Sequence, residues 1–148
     1  ELWVRKFLEM PTFRTARLFH KEYEFWQNAE DPLLYEARNK SYEGLPMVSN
    51  GLPYPLKKMI IDISSNPGRR IFCEGYIEAV GSVMWLGKKY WETTGAKKDK
   101  VVSIEWLECT YLPNGVLRIK AHDRPFMESK GEEAEKQNAL RKILFPNY

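Results

Sequence analysis

Lysines and aromatic side chains are interleaved between residues 88 and 100, and this combination is the clearest chemical signal in the chain. Lysines contact phosphates and aromatic rings stack on bases, so the pattern is typical of proteins that bind single-stranded nucleic acid. The candidate RNA-binding residues are Lys88, Lys89, Trp91, Lys97, Lys98 and Lys100. The alternative is a solvated loop with core aromatics, because runs of charge usually lie on a surface.

The aromatic content indicates a protein partner. Aromatic residues make up 14% of the chain and include five tryptophans, more than a core of this size requires. Tryptophan and tyrosine dominate the energetics of protein association. The candidate protein-binding residues are Trp85, Tyr90 and Trp91, which neighbour charged residues and chain breakers.

Residues suited to catalysis or metal binding are few. The two histidines, His20 and His122, lie on segments of different type, and no nucleophile elbow, phosphate loop or dinucleotide glycine pattern occurs. His122 and Asp123 could act as a base and its orienter, but a polar strand end is the commoner explanation. Cys73 and Cys109 lack the close spacing of paired metal ligands. The sequence predicts no catalytic residue, metal site or cofactor.

Length and composition predict one globular unit. The chain has 148 residues, of which 43% are hydrophobic and 29% charged, with a formal net charge of +3. No apolar run approaches the roughly 20 residues that cross a bilayer, so we expect no membrane partner. Cysteines within apolar stretches suit buried reduced thiols, which predicts an intracellular protein of the nucleus or cytoplasm. Because residue 1 is glutamate, we expect a piece of a longer protein.

Residues 1–50 are predicted to form a helical region that packs on the rest of the chain. Helical spacing of apolar residues predicts one helix near Trp3–Leu8 and a second over Phe13–Trp26. Asp31 followed by Pro32 is a typical helix start and predicts a third helix over Leu33–Tyr42. Many glycines and prolines between Glu43 and Pro55 predict a connecting loop.

Residues 51–148 are predicted to form an α-β-β-β-α unit. Leu56–Ile63 fits a strand or a helix, and a short helix is favoured. Strands are predicted over Arg70–Val80, Val101–Leu112 and Val116–His122, the last two joined by a hairpin turn at residues 113–115.

Two segments complete this region. The spacing of Ser129 and Glu132 is that of a capping box, which predicts a final helix over Glu132–Leu144 with Arg141 on its exposed face. Residues 82–100 fit a strand, a helix or a loop, with a loop over Gly95–Lys100.

The final helix and the element order from residue 55 to residue 145 resemble a double-stranded-RNA-binding domain. That family closes with a Ser-Lys-Lys motif leading into an alanine-rich helix. The matching residues are Ser129, Lys130, Ala134, Ala139 and Ile143, with one extra residue allowed after Lys130. The resemblance implies an α-β-β-β-α fold and an RNA surface at the start of this helix. Glu132, Glu133 and Glu135 stand where the family carries positive charge, and carboxylates near phosphates oppose binding.

Together these observations predict an α+β fold with N-terminal helices, an antiparallel sheet of at least three strands and a C-terminal helix. The predicted function is a non-catalytic protein-interaction module of a larger RNA-metabolism protein, with weak RNA binding through the basic loop. The alternative is a small enzyme or ligand-binding domain with a cone-like or hot-dog-like sheet. In that alternative Val83–Trp91 is the central helix and the sheet lines an apolar pocket. An exposed loop over residues 82–100 would favour the module, and an enclosed helix would favour the pocket.

Overall fold

A four-stranded antiparallel sheet forms the centre of the structure, a computed structural model that describes residues 2–146. The helices are α1 (Leu2–Leu8), α2 (Lys21–Gln27), α3 (Pro32–Glu36), α4 (Lys88–Thr94), α5 (Lys98–Val102) and α6 (Gly131–Leu144). The strands are β1 (Thr15–Leu18), β2 (Met47–Ser49), β3 (Met59–Ile61), β4 (Ile71–Cys73), β5 (Tyr76–Glu78), β6 (Val83–Leu86), β7 (Glu108–Tyr111) and β8 (Leu117–Lys120). The predicted α+β class, with a sheet and a C-terminal helix, is confirmed.

The central sheet has the strand order β1-β6-β8-β7, and β2-β3 and β4-β5 form two separate hairpins. All four residues of β6 are buried because both faces of this inner strand are covered. On one face Met84 and Leu86 belong to the main core, which includes Leu140 and Leu144 of α6. On the other face Val83 and Trp85 pack with Val4 of α1. Alternate residues of one apolar strand therefore supply two cores.

The predicted turn at residues 113–115 is confirmed. Asn114 and Gly115 have φ values of 65° and 74°, and they join β7 to β8 in antiparallel register. Asparagine and glycine adopt this left-handed backbone more readily than other residues. The strand after the turn is also confirmed, as β8.

The single helix predicted over Phe13–Trp26 is wrong. Residues 15–18 instead form β1, whose residue Thr15 pairs with Leu86 of β6. The chain then turns at His20, whose side chain accepts a hydrogen bond from the Tyr23 amide at 3.2 Å and caps α2. Pairing with a buried strand outweighs the helical spacing of the apolar residues, because it satisfies the backbone of β6 on that side.

The third helix begins as predicted but ends earlier than expected. The Asp31 side chain accepts a hydrogen bond from the Leu33 amide at 3.1 Å, and Pro32 is the first helical residue. The helix ends at Glu36 instead of continuing to Tyr42.

Three other segments differ from their predictions. The single strand predicted over Arg70–Val80 is wrong, because residues 71–73 form β4 and residues 76–78 form β5, which pair with each other as a hairpin. The helix predicted over Leu56–Ile63 is wrong, because Ile60 and Ile61 belong to β3 and pair with β2 in the predicted loop. Of the strand predicted over residues 101–112, Glu108–Tyr111 forms the paired strand β7. Residues 101 and 102 instead belong to α5. This helix begins at Lys98, so the second half of the loop predicted over residues 95–100 is also helical.

Residues 82–100, which were expected to form a strand, a helix or a loop, contain both strand and helix. They form the inner strand β6, then α4, and then the start of α5. Gly95 ends α4 with a φ of 70°. This segment is neither an exposed loop nor a continuous helix.

The C-terminal helix α6 is confirmed, but its capping differs from the prediction. Lys130 is the N-cap residue and makes no side-chain capping bond. The carboxylate of Glu133 instead accepts hydrogen bonds from the amides of Met127 at 2.7 Å and Glu128 at 3.0 Å. Arg141, expected on the exposed face, is buried and forms an ion pair with Glu78. A buried guanidinium is tolerated there because a carboxylate compensates its charge.

No helix within residues 2–146 is both long enough and apolar enough to cross a membrane.

Candidate protein-interaction surface

The predicted protein-binding aromatics are used by the chain's own core. Trp85 is 4% exposed and Tyr90 is 2% exposed. The Tyr90 hydroxyl donates a hydrogen bond to the Leu144 carbonyl at 2.7 Å, and burial raises the pKa of this phenol. Trp91 is partly buried against the same core. In this conformation these three side chains therefore contribute to the packing of the chain itself, and their role in binding a partner stays a prediction.

The predicted RNA-binding lysines lie at the beginnings of two short consecutive helices. Lys88 and Lys89 open α4, and Lys97, Lys98 and Lys100 surround the start of α5. The Lys89 ammonium lies 3.6 Å from the Glu92 carboxylate, and both side chains are about half exposed. The RNA-binding role of these lysines stays a prediction.

An exposed aromatic ring does accompany one of these lysines, but it is not Trp91. The Lys98 ammonium lies 4.6 Å from the centre of the Tyr111 ring on β7, and Tyr111 is exposed. Sequence reasoning missed this pair because Tyr111 lies on β7, outside the segment that carries the lysines.

Many exposed apolar side chains lie on the β2-β3 hairpin, residues 45–61, which we call the apolar arm. Its exposed apolar residues are Leu45, Met47, Val48, Leu52, Tyr54, Leu56 and Met59. Tyr54 is 92% exposed, and Leu33 and Leu34 of α3 are also exposed. Exposed apolar side chains gathered on one hairpin indicate an interaction site.

The base of the apolar arm is fixed to the rest of the chain. Ile61 is buried in a small core with Ala29 and Tyr35. The Ile61 amide donates a hydrogen bond to the Glu30 carbonyl at 2.8 Å, and the Lys58 ammonium lies 2.8 Å from an Asp31 carboxylate oxygen. Hydrogen bonds from Lys58 and from the Leu33 amide lower the pKa of Asp31. These contacts hold β3 in place while β2 remains on the outside.

The backbone bonding of the arm leaves one strand edge open. The Asn50 amide donates to the Lys58 carbonyl at 3.0 Å and the Asp62 amide donates to the Pro46 carbonyl at 2.8 Å. Hydrogen-bonded pairs alternate along an antiparallel ladder, so Val48 directs its backbone groups toward Ile60. The backbone groups of Met47 and Ser49 therefore point away from β3. Within residues 2–146, no strand pairs with this outer edge of β2.

The charge of the arm has one sign. Between residues 44 and 61 the chain contains Lys57 and Lys58 and no aspartate or glutamate. Lys58 pairs with Asp31, whereas Lys57 is exposed and forms no ion pair with a residue that the structure describes. The surface therefore favours an acidic ligand over a basic one.

The glycines and prolines of this segment predicted only a loop. A signal that could have revealed the arm is the density of apolar residues around Asn50-Gly51, since a typical surface loop is polar and Asn-Gly favours hairpins.

No family model, curated protein or solved structure matches this chain. The resemblance to a double-stranded-RNA-binding domain therefore stays a prediction.

Proposed function

We propose that this chain is a non-catalytic interaction module that binds an extended segment of a partner protein along the outer edge of β2. The observation that carries this proposal is the open edge of β2 within an apolar surface. Addition of a peptide strand to an exposed sheet edge is a recurrent mode of protein recognition.

Main-chain hydrogen bonds supply the first part of the recognition. The outward amides of Met47 and Ser49 donate to carbonyl groups of the added strand, and their carbonyls accept from its amides. These bonds depend little on side chains, so they supply affinity without much specificity.

The side chains of the partner supply the second part. Successive residues of a strand point to opposite faces, so alternate apolar residues of the partner contact the face of Val48 or the face of Met47. Acidic residues at the remaining positions complement Lys57. The proposed partner is therefore an extended segment that combines apolar and acidic residues.

A second copy of this chain is a poorer occupant. The arm contains lysines and no acidic residues, so two arms that pair edge to edge bring like charges together. Such pairing offers Lys57 no complementary charge, whereas an acidic segment does. This favours a different protein as the partner.

The experiment is a titration of the isotope-labelled chain, followed by NMR and amide hydrogen exchange. The probe is a short capped peptide in which valine and aspartate alternate, and its matched control replaces aspartate with lysine. We expect the acidic peptide to bind and to protect the Met47 and Ser49 amides. We expect the lysine peptide to bind about ten-fold more weakly.

Two variants of Ser49 isolate the backbone contribution. Ser49→Pro removes the outward amide without removing a ladder bond to β3, and we expect it to abolish peptide binding. Ser49→Ala keeps that amide and loses the side-chain bond to the Gly51 amide, so we expect normal binding. Equal binding by both variants would contradict the proposal, as would protection confined to residues outside the arm. If the chain dimerises in a concentration-dependent way and Ser49→Pro prevents this, the ligand of the β2 edge is a second copy of the chain and not a different protein.

Weak RNA binding through the lysines of α4 and α5 is a second candidate function. The observation that favours it is Lys98 over the exposed Tyr111 ring. Its test is given in the Discussion.

A further inference from the structure

A cleft of about 740 Å³ lies between the end of β1, the start of α2 and the residues that lead into β4. Its volume falls within the range of sites for small organic ligands. Four cationic side chains line it, those of Arg17, Lys21, Arg38 and Arg70. Two acidic side chains, those of Glu22 and Glu24, partly balance this charge.

Guanidinium groups lie over phenyl rings at this cleft. The guanidinium carbon of Arg17 lies 4.7 Å from the centre of the Phe19 ring, and that of Arg38 lies 5.2 Å from the centre of the Phe25 ring. Arginine favours such stacked arrangements because its guanidinium is planar and weakly hydrated. The outer face of a stacked guanidinium is a platform for another flat ring, and bases stack on arginine planes in this way.

Glu24 compensates two of the cationic side chains of the cleft. It is only 5% exposed, and one carboxylate oxygen pairs with Arg17 and with the Nε of Arg70, the latter at 3.4 Å. Its second oxygen is buried and accepts no hydrogen bond from any residue of the described range 2–146. Because this oxygen has almost no exposed surface, a ligand in the cleft does not contact it.

Glu24 compensates only part of the positive charge that lines the cleft. Arg17 and Arg70 compensate this carboxylate, whereas Arg38 is exposed and forms no ion pair within the part of the chain that the structure describes. Arg38 is therefore available to an anionic ligand. Arginine binds phosphate with paired, charge-assisted hydrogen bonds.

We propose that this cleft binds a nucleotide. Its phosphate contacts Arg38 and Lys21, and its base stacks on the outer face of the Arg17 guanidinium. Stacking of this kind accepts the flat face of any base, so guanosine monophosphate serves as a representative nucleotide. The inference does not depend on the β2 edge, since the two surfaces use different residues.

Calorimetry with three probes separates the parts of this proposal. The probes are guanosine monophosphate, guanosine and inorganic phosphate, each titrated into the full chain. We expect the monophosphate to bind more tightly than either of its two components. Inorganic phosphate binding as tightly as the nucleotide would overturn the role of the base, and no binding of the nucleotide would overturn the site.

Variants assign the binding to the cleft. Arg38→Gln changes an exposed residue, and we expect it to weaken nucleotide binding about ten-fold. Arg5→Gln changes an exposed arginine of α1 that does not line the cleft, so its affinity should equal that of the unchanged chain. Phe19→Ala removes a ring that supports the stacking platform and should weaken the nucleotide more than phosphate. Equal affinity of Arg38→Gln and Arg5→Gln would overturn the assignment, provided that their melting temperatures agree.

A nucleotide can be free or can be part of RNA. A 5′-phosphorylated tetranucleotide is therefore titrated beside the monophosphate. Tighter binding that depends on Arg38 would identify an RNA end as the source, and equal or weaker binding would identify the free nucleotide.

Discussion

Arg141 of α6 and Glu78 of β5 form an ion pair in which both side chains are withdrawn from solvent, since they are 5% and 0% exposed. Arg141 also donates hydrogen bonds to the carbonyls of Arg69 at 2.7 Å and Pro67 at 3.2 Å. One guanidinium therefore connects the C-terminal helix, the β4-β5 hairpin and the loop that leads into it.

Arg141→Leu should destabilise the chain strongly. The substitution leaves the Glu78 carboxylate buried without its partner, and breaking a buried pair from one side typically costs about 3–5 kcal/mol. Urea unfolding measures the change in the free energy of unfolding. Lys142→Leu is the control, because Lys142 is the next residue of α6 and is exposed. A difference below about 1 kcal/mol between the two variants would contradict a structural role for the pair.

The stability of the chain should fall in acid partly through Glu133. Burial raises the pKa of this carboxyl, but the amides of Met127 and Glu128, with His122 and Arg124 nearby, bring it below its ordinary value. A lowered pKa in the folded state means that the unfolded state binds the proton more tightly. The stabilisation is therefore complete above the ordinary glutamate pKa and is lost as the pH falls through the folded value.

The check is the free energy of unfolding as a function of pH. Glu133→Gln should be less stable than the unchanged chain at neutral pH, and the difference should shrink as the pH falls through this range. Glu135→Gln is the control, since Glu135 is exposed on the same helix. A difference that stays constant with pH would show that the carboxylate charge does not matter.

Trp91→Ala should lower the stability of the chain. If the ring served only to bind a partner, its removal would leave the melting temperature unchanged. Trp91 packs against the main core and its indole nitrogen is buried. We expect a loss of about 2 kcal/mol, somewhat below the value for a fully buried tryptophan. Thermal melting measures it, with Trp106→Ala as a control at a more exposed tryptophan. An unchanged melting temperature would return Trp91 to the list of partner-binding candidates.

RNA binding, if it uses the basic surface, should depend on Lys97, Lys98 and Lys100. Each phosphate contact releases condensed counterions, so the affinity falls as the salt concentration rises. Changing these three lysines to alanine should make the slope of the logarithm of the binding constant for single-stranded RNA against the logarithm of the salt concentration shallower by about 2. Tyr111→Ala should weaken binding with little change in that slope, because stacking releases no counterions. Fluorescence anisotropy at several salt concentrations measures both effects. The control changes Lys6, Lys130 and Lys142, and an equal effect of the control would assign the binding to net charge alone.

Parts of the fold with local causes could be predicted from the sequence. Pro113, Asn114 and Gly115 supply the backbone preferences of a turn by themselves, and the helix-forming residues of α6 do the same. Asp31 with Pro32 identified the beginning of α3 for the same reason. Each of these features depends on residues within a few positions of one another.

Parts with distant causes could not be predicted in this way. The strand character of Thr15–Leu18 comes from β6, about seventy residues later, and the burial of Arg141 comes from Glu78. The nucleotide cleft brings Arg17, Arg38 and Arg70 together from three separate segments. The open edge of β2 is recognisable only once β3 is known to be a strand. Long-range pairing of this kind overrides local preference.

The position of β1 determines where a shortened version of the chain can begin. Because β1 covers one side of β6 in the central sheet, a fragment starting at residue 51 would lose that cover and leave the apolar β6 as a new border of the sheet. Uncovered apolar borders promote association between chains. Shortened versions should therefore begin before residue 14, and those that begin later should be recovered as aggregates.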